Sequence, residues 1–325
     1  MHLTPTLLDR ATGTLLASAA GDALGAGYEF GPPLPDDQPV HMAGGGTFGW
    51  EPGEWTDDTS MAVPIAQALA DGGSLDDEAS LDRVVAAWAG WARTAKDVGA
   101  QTRTLLTTLR TPTAAAARAS AAAFYAANPR GAGGNGTLMR TGPVALGYLG
   151  DGQEAALVAA ARAVSDLTHA DPDAGDACVL WSTAIRHAIR EGVVDLSAQL
   201  VWLPVDRRDR WAALIAQAEA SQPADFDKNG WVVQALQGAW SAIHHGTGLV
   251  DVLERAVRSG WDTETVAAIA GALAGAACGA GAMPDAWREK LHGWPGLDAD
   301  GLADLAVRAV GHGVAGRPDQ PGTAG

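Results

Sequence analysis

The sequence predicts an all-α protein, and three observations lead to this expectation. Apolar residues recur three or four positions apart along most of the chain, as they do on one face of a helix. No segment shows the sustained alternation of apolar and polar residues that is typical of a strand. The Gly/Pro-rich breaks are too short to be interdomain linkers. We therefore expect one compact all-α domain over residues 1–312, followed by a disordered tail at residues 313–325.

The apolar stripes place the helices in chain order. Stripes of helical period cover residues 8–16, 61–69, 84–91, 178–189, 232–240 and 266–273. The first helix should end in the glycine-rich stretch Gly21–Gly27. The second should begin directly after Thr56, although Pro64 inside it should kink the helix or move its start. Val266–Met283 carries no charge but is mostly Ala and Gly, so we expect a buried core helix rather than a membrane span.

Composition limits the partners and the compartment. The net charge of −16 argues against binding of nucleic acid or an anionic membrane through a basic surface. Cys178 and Cys278 lie in apolar helical runs and fit no metal or redox spacing, so both are expected to be core thiols of a reducing cytosol. The N-terminus lacks the basic and apolar regions of a signal peptide, which also predicts a cytoplasmic protein.

Two clusters of acidic and hydroxyl residues are the main candidates for chemistry. Thr56-Asp57-Asp58-Thr59 and Asp262-Thr263-Glu264-Thr265 each open an apolar helix. Helix capping explains many such sequences, because Thr is a good N-cap and acidic residues are stabilised in the first turn. However, oxygen ligands suit hard cations such as Mg²⁺, and carboxylates are costly to bury unless they are paired or metal-bound. In the helix that follows the second cluster, Gly271, Gly275 and Gly279 lie four residues apart and should let another helix approach closely.

A glycine-rich loop and three further polar residues complete the candidates. Gly131–Gly136 matches G-x-G-x-x-G, but a dinucleotide site of that type requires a preceding strand. Residues 121–128 are Ala-rich and should be helical, so we reject that interpretation. The loop can still hold phosphate through backbone N–H groups, and a plain flexible loop is the alternative. Asp22 and Glu29 add carboxylates that could reach a common site, and His169 lies in a loop where it could bind substrate.

Taken in order, these motifs resemble the ADP-ribosylglycohydrolase family. The likeness covers most of the chain, from about Leu8 to Trp294, and the ordered set is specific although each motif is weak alone. The motifs that carry it are Gly21–Gly25 with Glu29, residues 56–59, Asp97-Val98-Gly99 with Thr102, Gly134–Arg140, Thr168-His169, Gly230–Val233 and Asp262–Thr265. The resemblance implies an orthogonal multi-helix bundle with a centre of two Mg²⁺ ions, Mn²⁺ being the alternative ion.

The resemblance also implies roles for individual residues. The metal ligands would be Thr56, Asp57, Asp58, Asp262, Glu264 and Thr265. The catalytic residues would be Glu29, Asp97 and Asp58. The substrate-binding residues would be Gly99, Gly134, Asn135, Gly136, Thr137, His169 and Trp261. Either Glu29 or Asp97 could activate water or assist the leaving group, and the sequence leaves both open.

The implied activity is Mg²⁺-dependent hydrolysis of the glycosidic bond between ADP-ribose and an acceptor. The acceptor would be a protein side chain, with arginine expected first, or a small metabolite, and the enzyme is expected to be a monomer. Glu264 stands where the family has Asp, and Trp261 stands where it has a small residue. A non-hydrolytic ADP-ribose-binding protein on the same fold is therefore the alternative. A prenyl diphosphate enzyme is disfavoured, because Asp57-Asp58 lacks the third acid of Asp-Asp-x-x-Asp.

Overall fold

The chain, described for residues 2–314 in a computed structural model, is built almost entirely from helices. The α-helices are α1 (Pro5–Gly25), α2 (Asp57–Ala70), α3 (Glu78–Trp91), α4 (Ala100–Thr108), α5 (Ala114–Ala127), α6 (Glu154–Asp166), α7 (Pro172–Glu191), α8 (Val205–Glu219), α9 (Val232–His245), α10 (Gly248–Arg258), α11 (Thr263–Cys278), α12 (Asp285–Arg288) and α13 (Ala299–Val314). Short 3₁₀ helices cover Gly142–Tyr148, Ser197–Trp202, Pro223–Asp225 and Ala280–Ala282. Two strands, β1 (His292–Gly293) and β2 (Leu297–Asp298), pair in antiparallel fashion. The all-α class is confirmed.

Helices α1 and α11 pack against each other backbone to backbone in the centre of the molecule. A Cβ atom at Gly21, Gly271 or Gly275 would overlap the main chain of the facing helix. The Ser18 hydroxyl donates to the Ala268 carbonyl at 3.0 Å, a bond between the two helices that this close approach allows. The expectation that the α11 glycines admit another helix is confirmed, and the partner is α1.

The other helices surround this central pair. Helices α7, α9 and α10 pack on α11, while α2 and α13 pack on α1. Buried indoles connect the layers, since Trp181 Nε1 donates to the Ile269 carbonyl and Trp88 Nε1 donates to the Met61 carbonyl, both at 2.9 Å. Helix α11 is buried from its first residue almost to its end, as expected of a core helix. Within residues 2–314, no helix is long and apolar enough to cross a membrane.

Helix α2 begins where its sequence predicts, and this matters because its first turn carries an acidic cluster. Thr56 is the N-cap and Asp57 is the first helical residue. Pro64 lies inside the helix and does not move this start. The proline lies in the second turn, so it removes no N–H group from the first turn. The first N–H groups of a helix have no partner within it and are free for other acceptors.

Two predictions at the periphery need comment. Cys178 is buried, but Cys278 is exposed, so the prediction of two core thiols is wrong for Cys278. The physical reason is its position, because it is the last residue of α11, where the helix leaves the core. At the C-terminus, α13 includes Gly313 and Val314, and the rest of the expected tail lies outside the described residues.

Candidate active site

A cleft of about 580 Å³ opens where the N-terminal ends of α2, α4 and α11 meet the glycine-rich loop. Most of the residues that the sequence singles out line it. They are Glu29, Asp57, Asp97, Gly99, Gly134, Asn135, Gly136, His169, Asp262, Glu264 and Thr265. The two acidic clusters, about 200 residues apart in sequence, therefore face one cavity. Phe30 and Arg103 also line the cleft, although neither was predicted from the sequence as a site residue.

Four of the singled-out residues do not line this cleft. Asp58 is buried next to it, where the Thr265 hydroxyl donates to its Oδ1 at 3.3 Å. Thr56 lines a neighbouring cavity. The Thr137 side chain is buried, with its hydroxyl 3.5 Å from Cys178 Sγ. Trp261 is 41% exposed and contributes its backbone, since its N–H donates to the Gly31 carbonyl and its carbonyl accepts from the Phe30 N–H.

Asp22 of α1 fixes the first turn of α2. The Thr56 side chain makes no capping bond to its own helix. Instead, the Asp22 carboxylate accepts from the N–H groups of Thr56 and Thr59 at 2.9 and 3.0 Å, and from the Thr59 hydroxyl at 2.6 Å. Burial raises the pKa of Asp22 to about 6, and these donors oppose the rise. One buried carboxyl group therefore caps a helix to which it is not covalently adjacent.

The first turn of α11 is attached to the same end of α1. The Thr263 hydroxyl donates to the Gly25 carbonyl at 2.9 Å. Gly25 also faces the Glu264 backbone, and a Cβ atom at Gly25 would lie 2.5 Å from the Glu264 nitrogen. Both acidic clusters are thus positioned by the last turns of α1, which explains how distant parts of the chain meet.

The carboxyl groups of the site share a low-dielectric environment. Burial raises the pKa of Asp57 to about 8, and the nearby charges of Asp97, Asp22 and Asp262 add to the rise. Burial likewise raises the pKa of Glu29 to about 8, with further contributions from Asp97 and Asp262. Like charges that raise one another's pKa values must lie within a few ångströms, so the group acts as one cluster.

The pKa values of two fully buried carboxyl groups in this cluster are raised most. Burial, followed by repulsion from neighbouring carboxylates, raises the pKa values of Asp58 and Glu264 well above their ordinary range. Buried Asp58 Oδ2 and Asp262 Oδ1 have no hydrogen-bond partner in the described structure. A buried carboxylate oxygen without a donor is costly, so a cation bound at these two oxygens would be stabilising.

The donor set fits a hard divalent cation in its chemistry. All candidate ligands are carboxylate or hydroxyl oxygens, the ligands that Mg²⁺ and Mn²⁺ prefer, and two of these oxygens lack partners. The side chains themselves are not yet arranged around one point. Over residues 2–314, no three Asp, Glu, His or Cys side chains already converge on one point as a finished metal shell. The fit to a cation therefore rests on the type of the ligand atoms and on the two oxygens without partners.

The glycine-rich loop is joined to the second acidic cluster by two asparagines. Asn135 Nδ2 donates to Asp262 Oδ2 at 2.7 Å and to the Asn229 carbonyl at 2.8 Å. Asn229 Oδ1 in turn accepts from the Asp262 N–H at 3.1 Å, and its Nδ2 donates to the Gly260 carbonyl. Asn229 is buried and was missed by the sequence reasoning, although it directly precedes Gly230, a motif residue. The phosphate-type loop and the acidic cluster therefore have a fixed spacing.

His169 is held as a neutral imidazole facing the glycines. Arg140 Nη2 donates to the Thr168 hydroxyl at 2.7 Å, and that hydroxyl lies 2.7 Å from His169 Nδ1. Since arginine only donates, the hydroxyl hydrogen is free for Nδ1, and we assign the remaining hydrogen of the ring to Nε2. Burial lowers the pKa of His169 to about 3, and Arg140 contributes. A Cβ atom at Gly134 would lie 3.3 Å from Nε2, so this donor faces the loop.

Comparison with known proteins agrees with this geometry. A family model described as ADP-ribosylglycohydrolase matches residues 3–316. The chain is 31% identical over 304 residues to ADP-ribosylarginine hydrolase Tri1 of Pseudomonas putida, covering 89% of this chain and 76% of that protein. It is 29% identical over 293 residues to ADP-ribosyl-[dinitrogen reductase] glycohydrolase of Rhodospirillum rubrum, covering 88% of this chain and 92% of that protein.

A solved structure gives the same result at the level of the fold. The structure of an ADP-ribosylglycohydrolase-related protein complex matches with a TM-score of 0.72 and 28% identity, covering 96% of this chain and 100% of the matched chain. The family model covers nearly the whole sequence, and both relatives are hydrolases by name. The chain belongs to the ADP-ribosylglycohydrolase family and is a glycohydrolase enzyme.

Proposed function

We propose that this enzyme is a Mg²⁺-dependent hydrolase that releases ADP-ribose from modified arginine side chains of proteins. One observation outside the site supports arginine, namely the name of one relative, an ADP-ribosylarginine hydrolase. The name of the other relative supports a modified protein as substrate, since it is a glycohydrolase of ADP-ribosyl-[dinitrogen reductase]. The observation that carries the proposal is the cleft itself. It has buried carboxyl groups at one end and a glycine loop with a neutral histidine at the other.

The loop end of the cleft suits the diphosphate. Gly134 and Gly136 leave the backbone accessible, and a side chain at either would contact the His169 ring. Backbone N–H groups and a neutral imidazole donor bind a diphosphate without requiring a cation. His169 stays neutral, so it contributes a hydrogen bond whose strength does not change across the physiological pH range.

The carboxylate end suits the distal ribose and the metal ions. Asp57, Asp58, Asp262, Glu264 and Thr265, with Thr56 beside them, would hold two Mg²⁺ ions. When bound, such ions would orient the ribose hydroxyls and a water molecule and offset the negative charge that otherwise repels a diphosphate. Glu264 is one methylene longer than Asp, but its side chain is buried in the same cluster as Asp58 and Asp262, whose charges it feels.

The reaction is hydrolysis of the bond between C1 of the ribose and a guanidine nitrogen. The water oxygen bonds to C1, the C1–N electron pair goes to the nitrogen, and one proton of the water ends on that nitrogen. Glu29 lines the cleft at its carboxylate end and would act as the acid to the leaving nitrogen. Asp97, which also lines the cleft, would accept the proton from water.

The decisive experiment measures ADP-ribose release from arginine-, serine- and O-acetyl-linked substrates, with Mg²⁺ and with EDTA. We expect Mg²⁺-dependent release from the arginine linkage. Calorimetric titration with Mg²⁺ provides a readout independent of turnover, with Asp58→Asn as the test variant and Asp37→Asn, an exposed carboxylate elsewhere, as the control. Asp58→Asn should lose both Mg²⁺ binding and turnover, whereas Asp37→Asn should lose neither.

Each part of the proposal has its own contradicting result. Full activity of Asp58→Asn in EDTA would remove the metal from the mechanism. Release from the serine or acetyl linkage, with none from arginine, would overturn the substrate assignment. Tight ADP-ribose binding without release from any linkage would favour the non-hydrolytic alternative. In that case Glu264→Asp should restore turnover.

A further inference from the structure

A second cavity, of about 170 Å³, adjoins the cleft at its carboxylate end. Asp57 and Asp97 line both cavities, so the two meet at the residues proposed to carry the chemistry. Four of the twelve residues that line the second cavity are tryptophans. They are Trp50, Trp55, Trp91 and Trp294. In the proposed reaction the ADP-ribose moiety occupies the cleft, and this tryptophan cavity remains for another group.

The aromatic walls are held rigidly. Trp55 Nε1 donates to the Trp294 carbonyl at 3.1 Å, and the rings of Trp91 and Trp294 lie 6.4 Å apart. The Trp50 backbone pairs with Gly45 in an isolated antiparallel bridge. Trp50 is 7% exposed, yet its Nε1–H has no hydrogen-bond partner in the described structure. A buried indole N–H usually finds an acceptor, so Trp50 leaves an unsatisfied donor beside this cavity, which a ligand oxygen could reach if the ring turned.

The tryptophan cavity already receives a cation from the protein itself. The Lys96 ammonium lies 5.1 Å from the centre of the Trp50 ring and 2.6 Å from Glu54 Oε2. Ammonium and guanidinium groups bind aromatic faces in the same way, through the negative potential of the ring. Lys96 is 41% exposed in its side chain, so it can move out of the cavity.

We propose that the tryptophan cavity is the acceptor subsite, which holds the guanidinium group of the modified arginine next to the scissile bond. This inference rests on the proposed function, because it concerns the leaving group of that reaction. Glu54 and Asp97, the two carboxyl groups of the lining that are not assigned to a metal ion, face the single ammonium group of Lys96, so a cation is favoured. A planar guanidinium stacks on indoles, whereas the serine or acetyl group of other linkages is neutral and gains little.

The Trp50 N–H fits the same ligand. A guanidinium only donates hydrogen bonds, so it cannot satisfy this indole. The atoms attached to the guanidinium can do so, since the ribose carries hydroxyl oxygens and the peptide carries a carbonyl. A ligand that brings a cation and a neighbouring oxygen into the tryptophan cavity therefore matches each of its unusual features.

The test uses two variants whose effects should have opposite signs. Trp50→Leu removes the aromatic face, and binding of agmatine, a free guanidinium probe, should weaken by about tenfold. Lys96→Met removes the competing ammonium and frees Glu54, so agmatine binding should tighten several-fold. Lys228→Met makes the same charge change at an exposed position outside both cavities and is the control. Isothermal titration with agmatine measures all three without requiring turnover.

Kinetics with two substrates complete the test. For the arginine-linked substrate, Trp50→Leu should raise KM, and Lys96→Met should lower it. ADP-ribose affinity should stay within about twofold of wild type in both variants. Agmatine binding that is unchanged or weakened in Lys96→Met would overturn the inference even if Trp50→Leu fails to fold. Agmatine binding of the expected kind without release of ADP-ribose from arginine would leave the subsite standing and overturn the proposed function.

Discussion

Gly25→Ala should damage the enzyme through a single methyl group. Gly25 is the last residue of α1, and a Cβ atom there would lie 2.5 Å from the Glu264 nitrogen, whereas ordinary contacts begin at 3.4 Å. The first turn of α11 must therefore move by about 0.9 Å, because both partners are backbone and neither can rotate away. Overpacking of this kind costs about 1–3 kcal/mol of unfolding free energy.

The same displacement should affect turnover more than stability. Glu264 and Thr265 would shift relative to Asp57 and Asp58, and a misplacement of about 1 Å in a catalytic site costs on the order of 100-fold in rate. Urea denaturation measures the unfolding free energy, and release of ADP-ribose from arginine-linked substrate measures the rate.

A matched control separates this clash from the general effect of replacing glycine. Gly90 lies in α3 with no atom within 4 Å of its hypothetical Cβ. Gly90→Ala should raise the unfolding free energy by about 0.5–1 kcal/mol, since alanine is the better helix former. If Gly25→Ala matched Gly90→Ala in both stability and rate, the close packing of α1 on α11 would not position the second acidic cluster.

Three further predictions follow from the buried polar groups. Asp22→Asn should lower the unfolding free energy by about 1–3 kcal/mol, because the amide NH₂ replaces one of the two oxygens that accept from Thr56 and Thr59. Because the pKa of Asp22 is raised from 3.8 to about 6, the unfolding free energy of the wild type should fall by about 3 kcal/mol as pH rises through that range. Urea titrations at several pH values should show this loss in the wild type and not in Asp22→Asn. The raised pKa of Asp57, about 8, predicts that metal-free protein continues to lose stability as pH rises to 8, and that millimolar Mg²⁺ restores it; a Tm independent of Mg²⁺ at pH 8 would contradict this. Thr168→Val should break the link between Arg140 and His169, and ¹⁵N spectra should then show loss of the single Nε2–H tautomer together with about tenfold weaker ADP-ribose binding.

Local sequence patterns predicted the elements well, because helix formation depends on near neighbours. The start of α2 at Asp57 was predicted correctly from Thr56 at the N-cap position, although the capping bonds come from Asp22 and not from the Thr56 side chain. The α11 glycines correctly indicated a close helix contact. The patterns did not predict which helices pack against each other. Nothing around Asp22 indicates that it caps a helix 34 residues away in sequence, since that bond exists only after α1 and α2 have packed.

The candidate site shows the same division. The resemblance to a family selected residues that line the cleft, including Asp57, Asp262 and His169. It did not select Asn229, whose importance lies in two bonds to Asp262 and Gly260 that depend on tertiary structure. The tryptophan cavity was also missed, because its walls come from separate loops and a lone tryptophan in a sequence is usually a core residue.

The backbone contact between α1 and α11 also constrains how the protein is made. The bond from Ser18 to Ala268 spans 250 residues, so a ribosome finishes most of the chain before α1 can meet its partner. Until then the first acidic cluster has been synthesised but its counterpart has not, and the cleft that both clusters line cannot assemble. Closing so long a loop should make formation of this contact a slow step of folding. A circular permutant that joins the two ends and begins just before α11 leaves α12 and α13, in place of α2 to α10, between α11 and α1. It should fold faster and yield the same enzyme.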